Sequence, residues 1–270
     1  MISAEYAITR FRRDVTLGAL VRLMLIGAAL ICLLIGPFVG KGFDSSIALF
    51  AIGMVWLVLS FRSARGSQLA QSFPSLIAAG QYEVAEQQIE RSLRAFSLFK
   101  GSKLLSLHHL AMLRHAQNRY QESAMLCRAV LGQRPGTLRN LSRQSRLILA
   151  DALLELGELN GTYETLARLH QERLSLAEAM KLLGIELDYL ARVGAWSNMM
   201  SNIRTKIELA ELMPTNNAAR AQAFLALAAK KLARRDWENW LRRRVELLVD
   251  VQKLIGERPM LKELWGNGEK

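Results

Sequence analysis

Side chains able to do chemistry are few in this chain, and most are spaced for packing rather than reaction. His108, His109 and His115 form the one histidine cluster, and His108, Met112 and His115 fall on one helix face at steps of four and three residues. Zinc would want further ligands with tetrahedral geometry, and neither an acid nor a cysteine lies nearby in sequence. A structural or groove-lining role is therefore expected for these residues rather than a metal site. The two cysteines, Cys32 and Cys127, form no CxxC and fit a reducing compartment. GPFVGKG, at 36–42, lacks the residue order of a phosphate-binding loop. The acid pairs Glu155 with Glu158 and Glu208 with Glu211 have the spacing of an ordinary helix surface. Trp56 suits lipid or a partner helix, and Trp196, Trp237, Trp240 and Trp265 suit packing. The expectation is a protein with no catalytic, metal or cofactor site, and so not an enzyme.

Charge is the next signal. Lys and Arg number 36 against 24 Asp and Glu, a net +12, on a chain that is 51% hydrophobic with mean hydropathy +0.11. Arginines concentrate at Arg128, Arg134, Arg139, Arg143 and Arg146, with no acid between Ser123 and Ala150. A second basic group is Lys230, Lys231, Arg234, Arg235, Arg242, Arg243 and Arg244. No zinc-finger spacing, aromatic RNA-binding strand or helix-turn-helix accompanies them. Solvated faces beside an anionic membrane are the favoured reading, with Arg128, Arg134, Arg139, Arg143, Arg146, Arg242, Arg243 and Arg244 as its contacts; nucleic acid is disfavoured.

The elements that would position these groups begin with two apolar runs, Leu17–Gly36 and Ser45–Phe61. The first is long enough, at about 1.5 Å per helical residue, to cross a hydrocarbon core of about 30 Å, and its one charge, Arg22, can reach back to the headgroups. The second is shorter. Gly36, Pro37, Gly40 and Gly42 between them favour a tight reversal, so residues 17–61 are expected to form a two-helix transmembrane hairpin. Arg10, Arg12, Arg13, Arg62 and Arg65 flank its ends, which puts both termini in the cytoplasm. A cleaved signal peptide is the disfavoured rival, because the apolar core is long and a second run follows at once. Residues 1–16 read as a cytoplasmic tail and 62–67 as a linker.

From residue 68 to 265 the pattern is helical throughout. Turns recur at Gly80-Gln81-Tyr82, Asn118-Arg119-Tyr120, Gly157-Glu158-Leu159, Gly194-Ala195-Trp196 and Arg235-Asp236-Trp237. Small residues sit seven before the turn at Ala111, Ala150 and Ala228, and three after the turn aromatic or its substitute at Ala85, Ser123 and Thr162. Pro135 and Pro214 follow two of the second helices. These units resemble tetratricopeptide repeats, although each is longer than the family's usual unit. Phe73, Leu187, Met199 and Trp240 stand where the family prefers small residues.

The resemblance implies an all-α fold, a right-handed α-solenoid of about five helix pairs behind the hairpin. Residues 254–265 are expected to form a terminal helix covering its end, and 266–270 a tail. It also implies a concave protein-binding face carrying His108, Met112 and His115, then Leu147, Asp151 and Leu154, then Gly184, Asp188 and Ala191. The layout is similar to bacterial inner-membrane proteins that carry a hairpin ahead of such repeats. The function expected is a membrane-anchored scaffold or adaptor for a protein or peptide partner. Two alternatives stand beside it, a basic helical-repeat domain binding anionic lipid or nucleic acid, and an accessory subunit of an integral-membrane enzyme.

Overall fold

The computed structural model describes residues 2–35, 45–69, 73–95, 97, 99–133 and 139–266. All regular structure among them is helical, and the helices pack in sequence order. The chain divides into two compact units, Met1–Ala152 and Leu153–Lys270. The first contains α1 (Ala4–Ile35), α2 (Ser45–Leu69), α3 (Phe73–Ala78), α4 (Tyr82–Arg94), α5 (Lys100–Ala116), α6 (Tyr120–Leu131) and most of α7 (Arg139–Glu155). The second contains α8 (Leu159–His170), α9 (Leu176–Arg192), α10 (Trp196–Met200), α11 (Ile203–Glu211), α12 (Thr215–Lys231), α13 (Arg235–Leu248), α14 (Val251–Glu257), a 3-10 turn at Pro259–Leu261 and α15 (Lys262–Trp265).

One turn geometry recurs along the chain. Gly80, Asn118, Gly157, Gly194 and Ala233 all have positive φ, between 55° and 76°, and lie 38, 39, 37 and 39 residues apart. At each, the following residue donates its N–H to the carbonyl five positions back: Gln81 to Leu76, Arg119 to Arg114, Glu158 to Leu153, Ala195 to Leu190 and Arg234 to Ala229. This left-handed cap satisfies carbonyls that a helix end leaves open and turns the chain into its next helix. The fifth turn therefore centres on Ala233, two residues before the position expected from sequence. Correcting the register puts Ala226, fully buried, in the place assigned to Ala228, and removes Trp240, 42% exposed, from the close-approach position.

The first unit differs most from expectation in its opening residues. Residues 1–16 are expected as a tail, yet Ile2, Ala4, Ala7, Phe11 and Asp14 are buried, because steps of three and four set Ala4, Ala7, Phe11 and Asp14 on one face of α1. That face packs on α4, α5 and α6. Arg114, wholly buried on α5, holds it there. Its Nη2 donates to the Ile2 carbonyl (2.6 Å) and Glu86 Oε1 (2.8 Å), its Nη1 donates to Gln117 Oε1 (2.7 Å), and its Nε lies 3.2 Å from Glu122 Oε2. Glu86 in turn accepts the Ile2 N–H at 2.9 Å. Burial works to raise the Glu86 carboxyl; the hydrogen bond and charge of Arg114 and the Ile2 N–H overcome it and hold Glu86 below its usual range.

A second tie lies further along α1. Lys103 Nζ reaches Asp14 Oδ2 at 2.9 Å and donates to the Leu93 carbonyl at 2.5 Å. Burial pushes the Lys103 ammonium below the ordinary lysine range, with Asp14 opposing the shift. Residues 62–67, expected as a linker, continue α2, and buried Ser63 exchanges a 2.7 Å hydrogen bond with Ser97.

The second unit is built around α12, whose residues 221–229 are all buried. Alanines there let α9, α10, α11 and α13 approach closely around Phe224, Leu225 and Leu227. The helix before α12 breaks at Asn202 (φ 52°), and Lys206 Nζ satisfies the freed carbonyls of Asn198 (2.7 Å) and Met199 (3.2 Å). At the C-terminal end Leu254, Leu261 and Leu264 are buried against the same core, and Lys230 Nζ donates to the Glu263 carbonyl at 2.6 Å. Residues 254–265, expected as one terminal helix, are thus α14, the 3-10 turn and α15 in succession.

Candidate functional site

Among the described residues, exposed large apolar side chains concentrate on α1 and α2: Leu17, Leu20, Leu23 (75% exposed), Met24 and Leu34 on the first, Ile47 and Phe50 on the second. Exposed apolar patches beyond ordinary size mark partner or membrane contacts more often than free surface. Among the described residues one helix, α1, is long and apolar enough to cross a membrane. The expectation of two full spans is corrected here: the apolar part of α2, Ile47–Phe61, is shorter than 18 residues and as a helix covers about 22 Å, less than a hydrocarbon core of about 30 Å. The expected reversal at 36–44 lies outside the described residues.

The face expected to bind a partner is mostly interior. His108, Leu147, Leu154, Asp188 and Ala191 are buried; Met112, His115, Asp151 and Gly184 are half-buried. His108 Nδ1 shares a 2.8 Å hydrogen bond with Ser145 Oγ. His115 Nε2 lies 3.1 Å from Asp151 Oδ2, edge-on to Tyr120, so this pair is the part of the face that the fold both joins and leaves accessible. Asp188 is committed to a buried ion network. Its carboxylate meets Arg192 Nε at 2.9 Å and Arg258 Nε at 2.8 Å, while Glu155 pairs with Arg258 and, at 3.6 Å, with Arg192. Arg192 also donates to the Leu154 carbonyl at 2.6 Å. The network fastens α14 to the ends of α7 and α9. Buried polar residues at groove spacing are here serving cohesion, because their partners come from elements remote in sequence.

Among the basic residues, Arg128 and Arg243 are exposed, and Arg143, Arg146, Arg242 and Arg244 are half-buried. Arg143 donates to Asn140 Oδ1 at 2.6 Å. Arg244 pairs with Glu211 at 2.7 Å and stacks over Trp240, 4.6 Å from its ring centre, and Arg242 lies 3.6 Å from Glu246. Arg134 and the side chain of Arg139 lie outside the described residues. His109 is buried against Phe73 with an unpartnered Nδ1, and burial lowers its pKa to about 4. Burial also pushes the Cys127 thiol up to about 12, which leaves no thiolate for chemistry at neutral pH. No group of three or more His, Cys, Asp or Glu among the described residues is placed to hold a metal ion.

Sequence reasoning missed the clamp of Glu86, Arg114, Lys103 and Asp14. A faint signal was present, since Ala4, Ala7 and Phe11 already have helical spacing. No protein-family model, curated protein or solved structure matches the chain.

Proposed function

We propose that this protein is a membrane-anchored, non-catalytic scaffold, held by residues 17–61 and presenting a helical-repeat body of tetratricopeptide type to a protein partner at the cytoplasmic face of a bacterial inner membrane. One observation carries the anchor reading: Ile2–Asp14, ahead of the apolar segment, and residues 73–133, behind it, pack into the same unit. Both ends of the apolar excursion then lie on one side of the bilayer, with α1 the helix long enough to cross it and the shorter α2 leading the chain back to the folded unit. The short apolar part of α2 would be accommodated by local thinning of the bilayer and by flanking side chains that reach back to the headgroups. The same packing argues against a cleaved signal sequence, because cleavage would strip Phe11 and the partners of Arg114 and Lys103 from the core.

Single cysteines at Arg12, Lys41 and Phe99, in a chain whose Cys32 and Cys127 are replaced by serine, test the topology with an impermeant maleimide on spheroplasts. Labelling at 41 alone before permeabilisation, with an intact N-terminus by mass, is the expected result. Positions 12 and 99 on opposite sides, or a shortened chain, would refute the anchor reading. The scaffold reading is tested by photo-crosslinking from Met112, with exposed Gln87 as control; equal or absent adducts from the two positions would remove the His115–Asp151 face as the working surface.

A further inference from the structure

The outer face of α1 changes chemistry along its length. Tyr6, Thr9, Arg10 and Arg13 line an open cleft of about 170 Å³. Steps of three and four residues carry that same face onward to exposed Leu17, Leu20 and Met24. Arg10 is held in place: Nη1 donates to Tyr6 Oη at 2.8 Å, Nε to the Leu93 carbonyl at 3.3 Å, and Nη2 to the Arg94 carbonyl at 3.2 Å. The cleft thus keeps a fixed positive wall. Arg13 is 66% exposed, and its ion pair with Asp14 is long, at 4.0 Å, because Lys103 already engages that carboxylate at 2.9 Å. Thr9 Oγ1 is turned to the Glu5 backbone carbonyl at 2.9 Å. Among the described residues no carboxylate lines the cleft.

From Arg13 to Met24 the helix rises about 16 Å, close to half of a hydrocarbon core of about 30 Å. Guanidiniums at headgroup level, followed on the same face by an apolar stripe one leaflet deep, match the two halves of a lipid. Free phosphate would use only the first half. We propose that this face of α1 binds an anionic phospholipid lengthwise, with its phosphate between Arg10 and Arg13 and an acyl chain along Leu17, Leu20 and Met24. The proposal rests on the anchor reading above. The lipid would fix the depth of α1 in the bilayer and, through Arg10, the position of the folded unit on the surface.

The full chain is reconstituted into nanodiscs of phosphatidylcholine with phosphatidylglycerol as the minority lipid, re-extracted in mild detergent, and its retained lipids are counted by mass spectrometry. Wild type is expected to retain phosphatidylglycerol above its share of the bilayer. Arg13→Gln should lower that enrichment about fivefold. Arg12→Gln, the same charge change at an exposed neighbour off the cleft, should leave it unaltered. Equal enrichment in wild type and Arg13→Gln, or equal loss in both variants, would overturn the cleft, and release by inorganic phosphate would overturn the choice of a lipid. Failure of the wild type to enter nanodiscs would refute the anchor reading instead, whereas insertion without enrichment refutes the cleft alone.

Discussion

Replacing Arg114 with methionine tests how far the opening residues belong to the fold. The guanidinium is fully buried and joins Glu86, Glu122, Gln117 and the Ile2 carbonyl. Methionine fills much of the volume but leaves Glu86 with the Ile2 N–H and Glu122 with Arg119. Removing one partner of a buried ion pair typically costs about 3–5 kcal/mol, because a desolvated charge is left uncompensated. The single Glu86→Gln exchange should cost less, and the double variant should lose about 1–3 kcal/mol less than the two singles added. The assay is urea unfolding of the full chain in detergent micelles, followed by circular dichroism, with limited trypsin digestion in parallel. Undocking of α1 would open Arg10, Arg12 and Arg13 to cleavage, read as a shortened chain by intact mass. Acid adds a second signature. Since Glu86 is held below its ordinary value, its contribution is complete above the unfolded pKa and is lost as pH falls through the folded one. Arg114→Met should erase that part of the acid limb. A loss below about 1 kcal/mol together with an intact tryptic N-terminus would refute the clamp.

Three further outcomes follow from other residues. His109 titrates near 4 when folded and near 6.5 when unfolded, so its contribution is complete above 6.5 and declines as pH falls toward 4, by about 3 kcal/mol in all. His109→Phe should flatten this window in urea midpoints measured between pH 7 and 5, and an unchanged slope would dismiss the assignment. Ala233→Gly should stabilise by about 1 kcal/mol, since an L residue is strained at φ 55°, whereas Gly157→Ala should destabilise by a similar amount; thermal melts moving the same way would contradict the shared turn geometry. Arg258→Met leaves two carboxylates facing Arg192 and should cost about 3 kcal/mol, with faster hydrogen exchange in α14 as its local readout.

The helical character and four of the turns can be read directly from sequence, because glycine and asparagine advertise the left-handed cap. Ala233 does not, and the fifth turn was displaced by two residues toward Trp237 for that reason. Residues 1–16 read as a tail because their apolar face is thin, and the partners of Ile2 and Asp14 lie more than eighty positions away. The second apolar segment falls short for a plainer reason: even counted from Ser45, where α2 begins, to Phe61 it holds 17 residues, fewer than a full span needs. Helical spacing separates the faces of one helix but does not say which face a neighbour covers. Asp188 shows this most clearly: Arg258, from the far end of the chain, buries it.

The unbroken course of α1 sets an order of events during synthesis. Its apolar stretch can meet the translocation machinery as soon as it leaves the ribosome, whereas Arg114, which secures Ile2, follows 112 residues later. At about 5–20 residues per second the wait is roughly 6–22 s. On the anchor reading proposed above, the nascent helix would be seated in lipid before Phe11 gains its cover and before Lys103, 89 residues after Asp14, is made. On that reading the rest of the first unit would assemble around an anchor already in place, with the membrane as its template.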